Sequence, residues 1–309
     1  MSGGDSTLDV GVNDGTSSSF LASIDVRPST SRSSADVYIG HPQYVPWPKA
    51  YGGDTAAQAV SAASRTVDPS RVVSSFHAFF VCPVDVGIEI EHEVTRIRDG
   101  RGISTRRVVS YQNGVEVFTA IVSFVDEGNS PGGDLFSETA PVHTASPEEL
   151  PSAGEYLSAT GNDGPAASYW SAGRSFDLRH DPAPVYSSAV GADPSQIVWV
   201  RASSHLPGDQ LTQRLALAYV CDYTILEPSL RVHGLAWDAP GLVTASIDHS
   251  MWFHRPVSLN SWIMYAHDPI VVRAGRGLNR GRFFTADGIH IATVVQEGVI
   301  RTPVQREAP

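Results

Sequence analysis

The chain has 309 residues, of which 41% are hydrophobic, and its 22 basic and 33 acidic side chains give a formal charge of −11. This length allows two ordinary domains or one large one, and this hydrophobic fraction excludes a globally disordered chain. The net charge argues against nucleic acid and anionic membranes as main partners, because both require a basic protein face.

The two cysteines, Cys82 and Cys221, are too few for a disulfide framework and do not stand at zinc-ligand spacing. Residues 1–26 contain no Lys or Arg, so neither a secretory signal nor a mitochondrial presequence is predicted. No run approaches the roughly 20 apolar residues that span a bilayer. We therefore expect a soluble, cytoplasmic protein that needs no metal or other cofactor.

The first predicted elements are a flexible tail over residues 1–20 and a helix that follows Gly52 and Gly53. The helix is indicated by small apolar residues at helical spacing, namely Ala56, Ala59, Val60, Ala63 and Val67. Asp54 is its N-cap candidate. Further along, Asn113-Gly114 lies between apolar runs at 106–111 and 115–124, which predicts a β-hairpin with a type I′ turn.

The same order of elements follows a linker predicted over residues 126–170, which are dense in Gly, Pro, Ser, Asp and Glu. A second helical stripe begins after Pro207-Gly208-Asp209, contains Leu211, Leu215 and Ala218, and is predicted to stop at Pro228. A second hairpin, again with a type I′ turn, is predicted at Asp287-Gly288, between runs at 281–285 and 289–295.

An internal repeat explains this parallel. Arg98-Asp99-Gly100-Arg101-Gly102 recurs as Arg273-Ala274-Gly275-Arg276-Gly277, and residues 76–84 resemble residues 249–257. A repeat of this length indicates a duplicated domain. One helix followed by a long antiparallel sheet, present twice, predicts an α+β fold class and a double hot-dog, with copies at 21–125 and 171–309.

Asp222 is the first candidate for chemistry, because it falls on the apolar stripe of the second predicted helix and no other charge lies in residues 215–221. An ionised carboxylate that faces a core costs several kcal/mol unless it is paired or serves a site. A structural alternative is an Asp that hydrogen-bonds local hydroxyls such as Thr224.

The other candidate residues indicate a functional site less specifically than Asp222 does. Gln296 could orient a water or a carbonyl but is more often an ordinary strand-end residue, and a strand hydroxyl such as Ser246 is usually structural. His249 and His254 alternate across a strand and form no metal triad, so packing roles are expected for them, and Cys221 is expected to be a core residue.

The arginines cluster in equivalent strands of the two copies. The nine are Arg96, Arg98, Arg101, Arg106, Arg107, Arg273, Arg276, Arg280 and Arg282. They suggest an anion-binding rim, since guanidinium suits phosphate. The alternative is cross-strand pairing with Glu89, Glu91 and Glu93.

The sequence resembles the acyl-CoA thioesterase II family, double hot-dog enzymes of fatty acyl-CoA hydrolysis. The resemblance runs from about residue 51 to 125 and from about 199 to 301, and rests mainly on Ser246-Ile247-Asp248-His249-Ser250-Met251-Trp252-Phe253-His254-Arg255-Pro256 and Val295-Gln296-Glu297-Gly298-Val299. Ser75-Phe76-His77 adds support from the first copy.

The resemblance implies a site made of Asp222, Ser246 and Gln296, in which Asp222 is the general base for a water that attacks the thioester carbonyl. Gly53 and Asp54, at the start of the first helix, are candidates for the oxyanion hole. Arg273 and Arg276, from the arginine cluster, are candidates for substrate binding. The implied partner is acyl-CoA, and the long sheet edges favour a homodimer or a larger homo-oligomer.

Three positions depart from the family pattern: Ser246 stands where Thr is frequent, Asp54 where Gln is usual, and Cys82 where Arg precedes Pro. The last two could alter substrate entry or chain-length preference. Two other functions stay open at this point. One is a non-catalytic acyl-thioester binding or regulatory module, and the other is a hot-dog enoyl hydratase, for which no His–Asp pair is evident.

Overall fold

One antiparallel sheet of twelve strands organises the structure, a computed structural model that describes residues 17–30, 36–129, 133, 135–142, 145–188 and 193–302. The first copy contains α1 (Ser17–Ile24), β1 (Arg27–Ser29), β2 (Asp36–Gly40), α2 (Gly52–Ser64), β3 (Val72–Phe80), β4 (Ile90–Asp99), β5 (Ile103–Gln112) and β6 (Val115–Val125). The second part contains α3 (Ala153–Ala159), α4 (Pro165–Ser168), β7 (Phe176–Asp181), β8 (Gln196–Ala202), α5 (Gln210–Val220), α6 (Glu227–His233), β9 (Val243–Phe253), β10 (Ile263–Arg273), β11 (Arg276–Thr285) and β12 (His290–Arg301).

The strand order is β1-β2-β4-β5-β6-β3-β9-β12-β11-β10-β8-β7. Read outward from the centre, each half follows the same path, so β3 is equivalent to β9 and β6 is equivalent to β12. The halves join through antiparallel pairing of β3 with β9, in which His77 lies opposite Ser250. This topology confirms the predicted α+β double hot-dog and shows that the copies share one continuous sheet.

The central helices α2 and α5 pack against each other. The Tyr51 hydroxyl, just before α2, donates a hydrogen bond of 2.5 Å to the carbonyl oxygen of Tyr219 in α5. The small side chains of the predicted stripe in α2 are buried: Ala56, Ala59 and Ala63 are at most 1% exposed. The packing therefore brings the N-terminus of one central helix beside the C-terminal end of the other.

The two predicted hairpins differ in their turns. Asn113 (φ 52°) and Gly114 (φ 78°) form the predicted type I′ turn. At the second hairpin only Gly288 has a positive φ, 88°, and its N–H donates to the carbonyl oxygen of Thr285 at 2.9 Å. The connection there is longer than two residues and is accompanied by a register shift between Phe283 and Phe284, so a type I′ turn is wrong for it.

The second helix also ends earlier than predicted. α5 stops at Val220, and Asp222 lies on a separate 3-10 turn, Cys221–Tyr223. Pro228 does not stop this helix but lies in the first turn of α6, where a missing N–H costs nothing. Leu211 is 38% exposed and is not part of the buried stripe.

The segment between the copies contains more structure than a linker composition suggests. α3 begins with a capping box in which Ser152 and Glu155 bond reciprocally, and Leu157 on α3 is buried. Residues 1–16 of the expected tail lie outside the described residues, whereas residues 17–20 form the first half of α1, with Phe20 fully buried. The boundaries 21–125, 126–170 and 171–309 stay a prediction.

Candidate active site

The 3-10 turn after α5 directs the Asp222 carboxyl toward the other central helix. Its Oδ1 accepts hydrogen bonds from Nε2 of Gln296 at 2.7 Å and from Oγ of Ser246 at 3.2 Å. The Asp222 side chain is partly buried, and the resulting loss of hydration raises its pKa to about 6, although these bonds and one from the backbone N–H of Gly53 counteract the rise. The position therefore holds a base that is stronger than an exposed carboxylate.

Ser246 and Gln296 come together because β9 and β12 are neighbours in the sheet. Nε2 of Gln296 also donates to Oγ of Ser246 at 2.8 Å. A register shift between Glu297 and Gly298 lets Gly298 face Ser246. The bulge places both side chains on the side of Asp222, so the structure brings the three residues implied by the sequence resemblance into mutual contact.

His249 is a fourth member of this network that the sequence analysis assigned only to packing. Its Nδ1 lies 2.5 Å from Oε1 of Gln296, and its ring stacks on Phe76 with centroids 5.2 Å apart. Burial lowers the pKa of His249 to about 4, so the imidazole is neutral at physiological pH. Because Nε2 of Gln296 donates to Asp222 and Ser246, Oε1 must accept, and Nδ1–H of His249 is the donor.

The N-terminus of α2 lies against Asp222. A Cβ atom on Gly52 would meet Oδ2 of Asp222 at 2.6 Å and the Phe80 ring at 3.0 Å, and one on Gly53 would meet the carbonyl oxygen of Tyr219 at 2.2 Å. Only glycine permits this approach. Asp54 is not the predicted N-cap, because α2 begins at Gly52 with Tyr51 as its N-cap and Asp54 lies in the first turn. The Asp54 carboxylate accepts from the backbone N–H of Gln43 at 2.7 Å, so Asp54 could contribute only its backbone to the site.

Asp222, Ser246 and Gly52 line a cavity of about 1050 Å³. Its walls are mainly apolar and aromatic, and include Trp47, Tyr51, Phe80, Tyr169, Trp170 and Trp237. Residues 162–167, from the segment between the copies, line it as well. The cavity therefore offers a large, mainly apolar space with a carboxylate in its wall, which suits a substrate with an apolar chain.

The other candidate residues lie elsewhere. Arg273 and Arg276 are exposed at the β10–β11 turn and do not line this cavity. Arg276 pairs with Glu297 at 3.4 Å, and Arg282 pairs with Asp268 at 2.9 Å. These two arginines thus have carboxylate partners on neighbouring strands, and the partners are not Glu89, Glu91 or Glu93.

Cys221, by contrast, fits its expected role in the core. It is fully buried, and burial together with the neighbouring Asp222 charge raises the pKa of its thiol well above the usual range. The Thr224 hydroxyl lies 3.1 Å from Nε2 of His267 and makes no bond to Asp222. Within the described part of the chain, no three His, Cys, Asp or Glu side chains form a metal-binding group.

Two family models match the chain. One, described as acyl-CoA thioesterase, matches residues 173–299, and one for the acyl-CoA thioesterase N-terminal domain matches residues 43–125. The human protein named acyl-coenzyme A thioesterase 8 is 31% identical over 87% of this chain and 86% of its own length. Acyl-CoA thioesterase 2 of Haemophilus influenzae is 29% identical over 86% of this chain and 92% of its own.

Solved structures agree with these matches. The crystal structure of an acyl-CoA thioesterase II, TesB2, from Mycobacterium marinum is 29% identical and superposes with a TM-score of 0.70. The superposition covers 92% of this chain and 97% of that one. A hot-dog protein of unknown function from Alicyclobacillus acidocaldarius, 18% identical, has the same fold with a TM-score of 0.70 over 92% of this chain and 98% of its own.

Proposed function

The chain belongs to the acyl-CoA thioesterase II family and is a thioester hydrolase, and from this premise we propose that Asp222, Ser246 and Gln296 activate the water that cleaves fatty acyl-CoA into free acid and CoA. The observation that carries the proposal is the position of Asp222. Its carboxylate is held by an amide and a hydroxyl, its pKa is raised to about 6, and it lies in the wall of a large apolar cavity.

In the proposed reaction, a water positioned by Ser246 and Gln296 gives a proton to Asp222 as its oxygen attacks the thioester carbonyl carbon. The carbonyl becomes a tetrahedral oxyanion. When this intermediate collapses, the carbon–sulfur bond breaks, the carboxylic acid forms, and the CoA sulfur takes the proton from Asp222. The base is thereby restored without a covalent enzyme intermediate.

The N-terminal turn of α2 is our candidate for binding the oxyanion. Helix N-termini carry unsatisfied N–H groups and a partial positive charge. Gly52 and Gly53 bring these groups next to Asp222, where the carbonyl must lie during attack. The first copy therefore supplies the electrophilic side of the site and the second copy supplies the base.

An Asp222→Asn variant tests the assignment of the base. We expect it to fold like the wild type and to release CoA from acyl-CoA roughly 100-fold more slowly or worse, because an amide cannot take the proton. CoA release is measured with a thiol reagent. Asp238→Asn is the matched control, since Asp238 is an exposed carboxylate at the rim of the same cavity that has no bond to the site. Hydrolysis by Asp222→Asn at the wild-type rate would contradict the proposal.

We further propose a cytoplasmic homodimer or larger homo-oligomer that acts on acyl-CoA. Among the described helices, none has the length and apolar character needed to cross a membrane. Both cysteines are free, and Cys82 is exposed, which suits a reducing compartment. The outer strands β1 and β7 leave sheet edges that a second copy could cover. Size-exclusion chromatography with light scattering determines the stoichiometry, and a purely monomeric species would contradict the proposed homo-oligomer.

A further inference from the structure

Arg174 is a buried cation that the proposed reaction does not use. It lies two residues before the start of β7 and is 6% exposed. Its Nη1 donates a hydrogen bond of 3.2 Å to the Tyr186 hydroxyl, whereas its buried Nε has no hydrogen-bond partner. A guanidinium offers five donors in a plane, so this side chain retains unused capacity to bind an acceptor.

The surroundings of Arg174 supply aromatic rings in place of a counterion. Its guanidinium carbon lies 4.4 Å from the centroid of the Tyr223 ring and about 6 Å from those of Tyr169 and Tyr186. Burial raises the pKa of each of these phenols, so they are neutral and carry no compensating charge.

No carboxylate forms an ion pair with Arg174 among the residues that the structure describes. Glu227 is the acidic group whose charge acts on it, but that carboxylate accepts hydrogen bonds from Gln196 at 2.8 Å and Trp237 at 3.0 Å. His180 lies 3.4 Å from the same group. A buried guanidinium without its own anion is costly, and a bound anion would remove that cost.

Arg174 lines the same cavity as Asp222, and the Tyr223 side chain, adjacent in sequence to Asp222, packs against the guanidinium. A ligand in the cavity can therefore meet both the base and this cation. We propose that Arg174 forms a second binding point of the cavity, which takes a carboxylate or phosphate group carried by the thioester substrate. This inference rests on the proposed function for the identity of the ligand.

The anionic group that binds Arg174 has two possible sources, one at each end of the substrate. A carboxylate at the far end of the acyl chain and a phosphate of the CoA moiety present similar oxygen pairs to a planar guanidinium. The two sources are separated by three substrates: octanoyl-CoA, suberoyl-CoA, which has a carboxylate in place of the terminal methyl group, and octanoyl-pantetheine, which has no phosphate.

The experiment compares kcat/KM of wild type and Arg174→Met on these substrates. If the acyl carboxylate is the ligand, the variant loses about tenfold or more on suberoyl-CoA alone, as expected for a lost charge-assisted bond. If the phosphate is the ligand, both CoA esters lose activity and octanoyl-pantetheine does not. An equal loss on all three substrates, or no loss on any, would overturn the proposal.

Arg201→Met is the control, since Arg201 contacts Trp262 and does not line the large cavity. Thermal unfolding checks the fold, and Arg174→Gln, also neutral but able to bond Tyr186, replaces a variant that fails to fold. If the wild type cleaves none of the substrates, the proposed function fails, while calorimetric titration with suberate and with CoA still tests the subsite. Equal binding of each by wild type and variant would then overturn it.

Discussion

At the scale of single residues, the surroundings of Asp222 decide what its carboxyl can do. An exposed Asp ionises near pH 4, and the loss of hydration around Asp222 moves its pKa to about 6. The group is therefore ionised at neutral pH and still accepts a proton more readily than a surface carboxylate. This balance is what a general base in water activation requires.

The pH profile follows from this value. Because only the ionised form of Asp222 can take the proton from water, we expect kcat/KM to be constant above about pH 7 and to fall as the pH drops through about 6. His249, with its pKa lowered to about 4, stays neutral over this range. Steady-state rates from about pH 4.5 to about pH 8.5, a range that extends on both sides of the Asp222 pKa of about 6, measure the profile. Activity that rises toward low pH would contradict this role of Asp222.

We expect His249 to affect the reaction through Gln296, the proposed site residue that it contacts. Its Nδ1–H bond fixes which end of the amide faces Asp222 and Ser246. A His249→Phe variant keeps a ring against Phe76 but lacks the donor, so we expect kcat to fall about tenfold with little change in KM. His254→Phe, at an exposed position just after the same strand, provides the comparison. Equal kcat values for wild type and His249→Phe would show that the amide needs no such support.

Residue types alone predicted only one member of the candidate site. Asp222 could be singled out because a lone carboxyl in an apolar run needs a reason. Ser246 and Gln296 are ordinary strand residues, and only the resemblance to a family selected them. His249 was assigned to packing because its contact with Gln296 depends on the register of β9 and β12, which the sequence does not show.

At the scale of elements, the first turn of α2 is the most constrained piece of backbone in the site. A Gly52→Ala substitution places a methyl group where Oδ2 of Asp222 and the Phe80 ring now lie. We expect α2 or Asp222 to shift and kcat/KM to fall about 100-fold, the cost typical of a small misplacement of reacting groups.

Gly208→Ala is the matched control for this substitution. Gly208 lies just before α5, and a Cβ atom there meets nothing within 4 Å. Both variants are compared by acyl-CoA hydrolysis and by thermal unfolding. Wild-type activity in Gly52→Ala would show that the close approach of α2 to Asp222 is not needed.

The strands and the Asn113-Gly114 turn could be predicted from short patterns, whereas the turn at Asp287-Gly288 and the end of α5 could not. Asn113-Gly114 fixes its turn by local backbone preference alone. The end of α5 depends on tertiary contacts: the Tyr265 hydroxyl donates to the carbonyl oxygen of Cys221 at 3.0 Å, in the turn that carries Asp222. No local pattern around Pro228 contains that information.

At the scale of the whole molecule, the repeat in the sequence predicted the duplication but not which copy carries which residues of the candidate site. In the sheet, Phe76 of β3 pairs with Val122 as His249 of β9 pairs with Gln296. In the same alignment of the two copies, Val73 occupies the position equivalent to Ser246. Val73, Phe76 and Val122 are all at most 1% exposed and apolar, so the first copy lacks the polar set at the equivalent place.

The covalent joining of the two halves has a consequence for how such a site can change. In a dimer of identical chains, every substitution appears twice, and a glycine needed on one helix is imposed on its symmetry mate. Here Gly52 and Gly53 begin α2, whereas Asp209 caps α5 with a side-chain bond to the N–H of Thr212. Each helix start is thus free to serve one purpose, close approach in the first case and secure capping in the second.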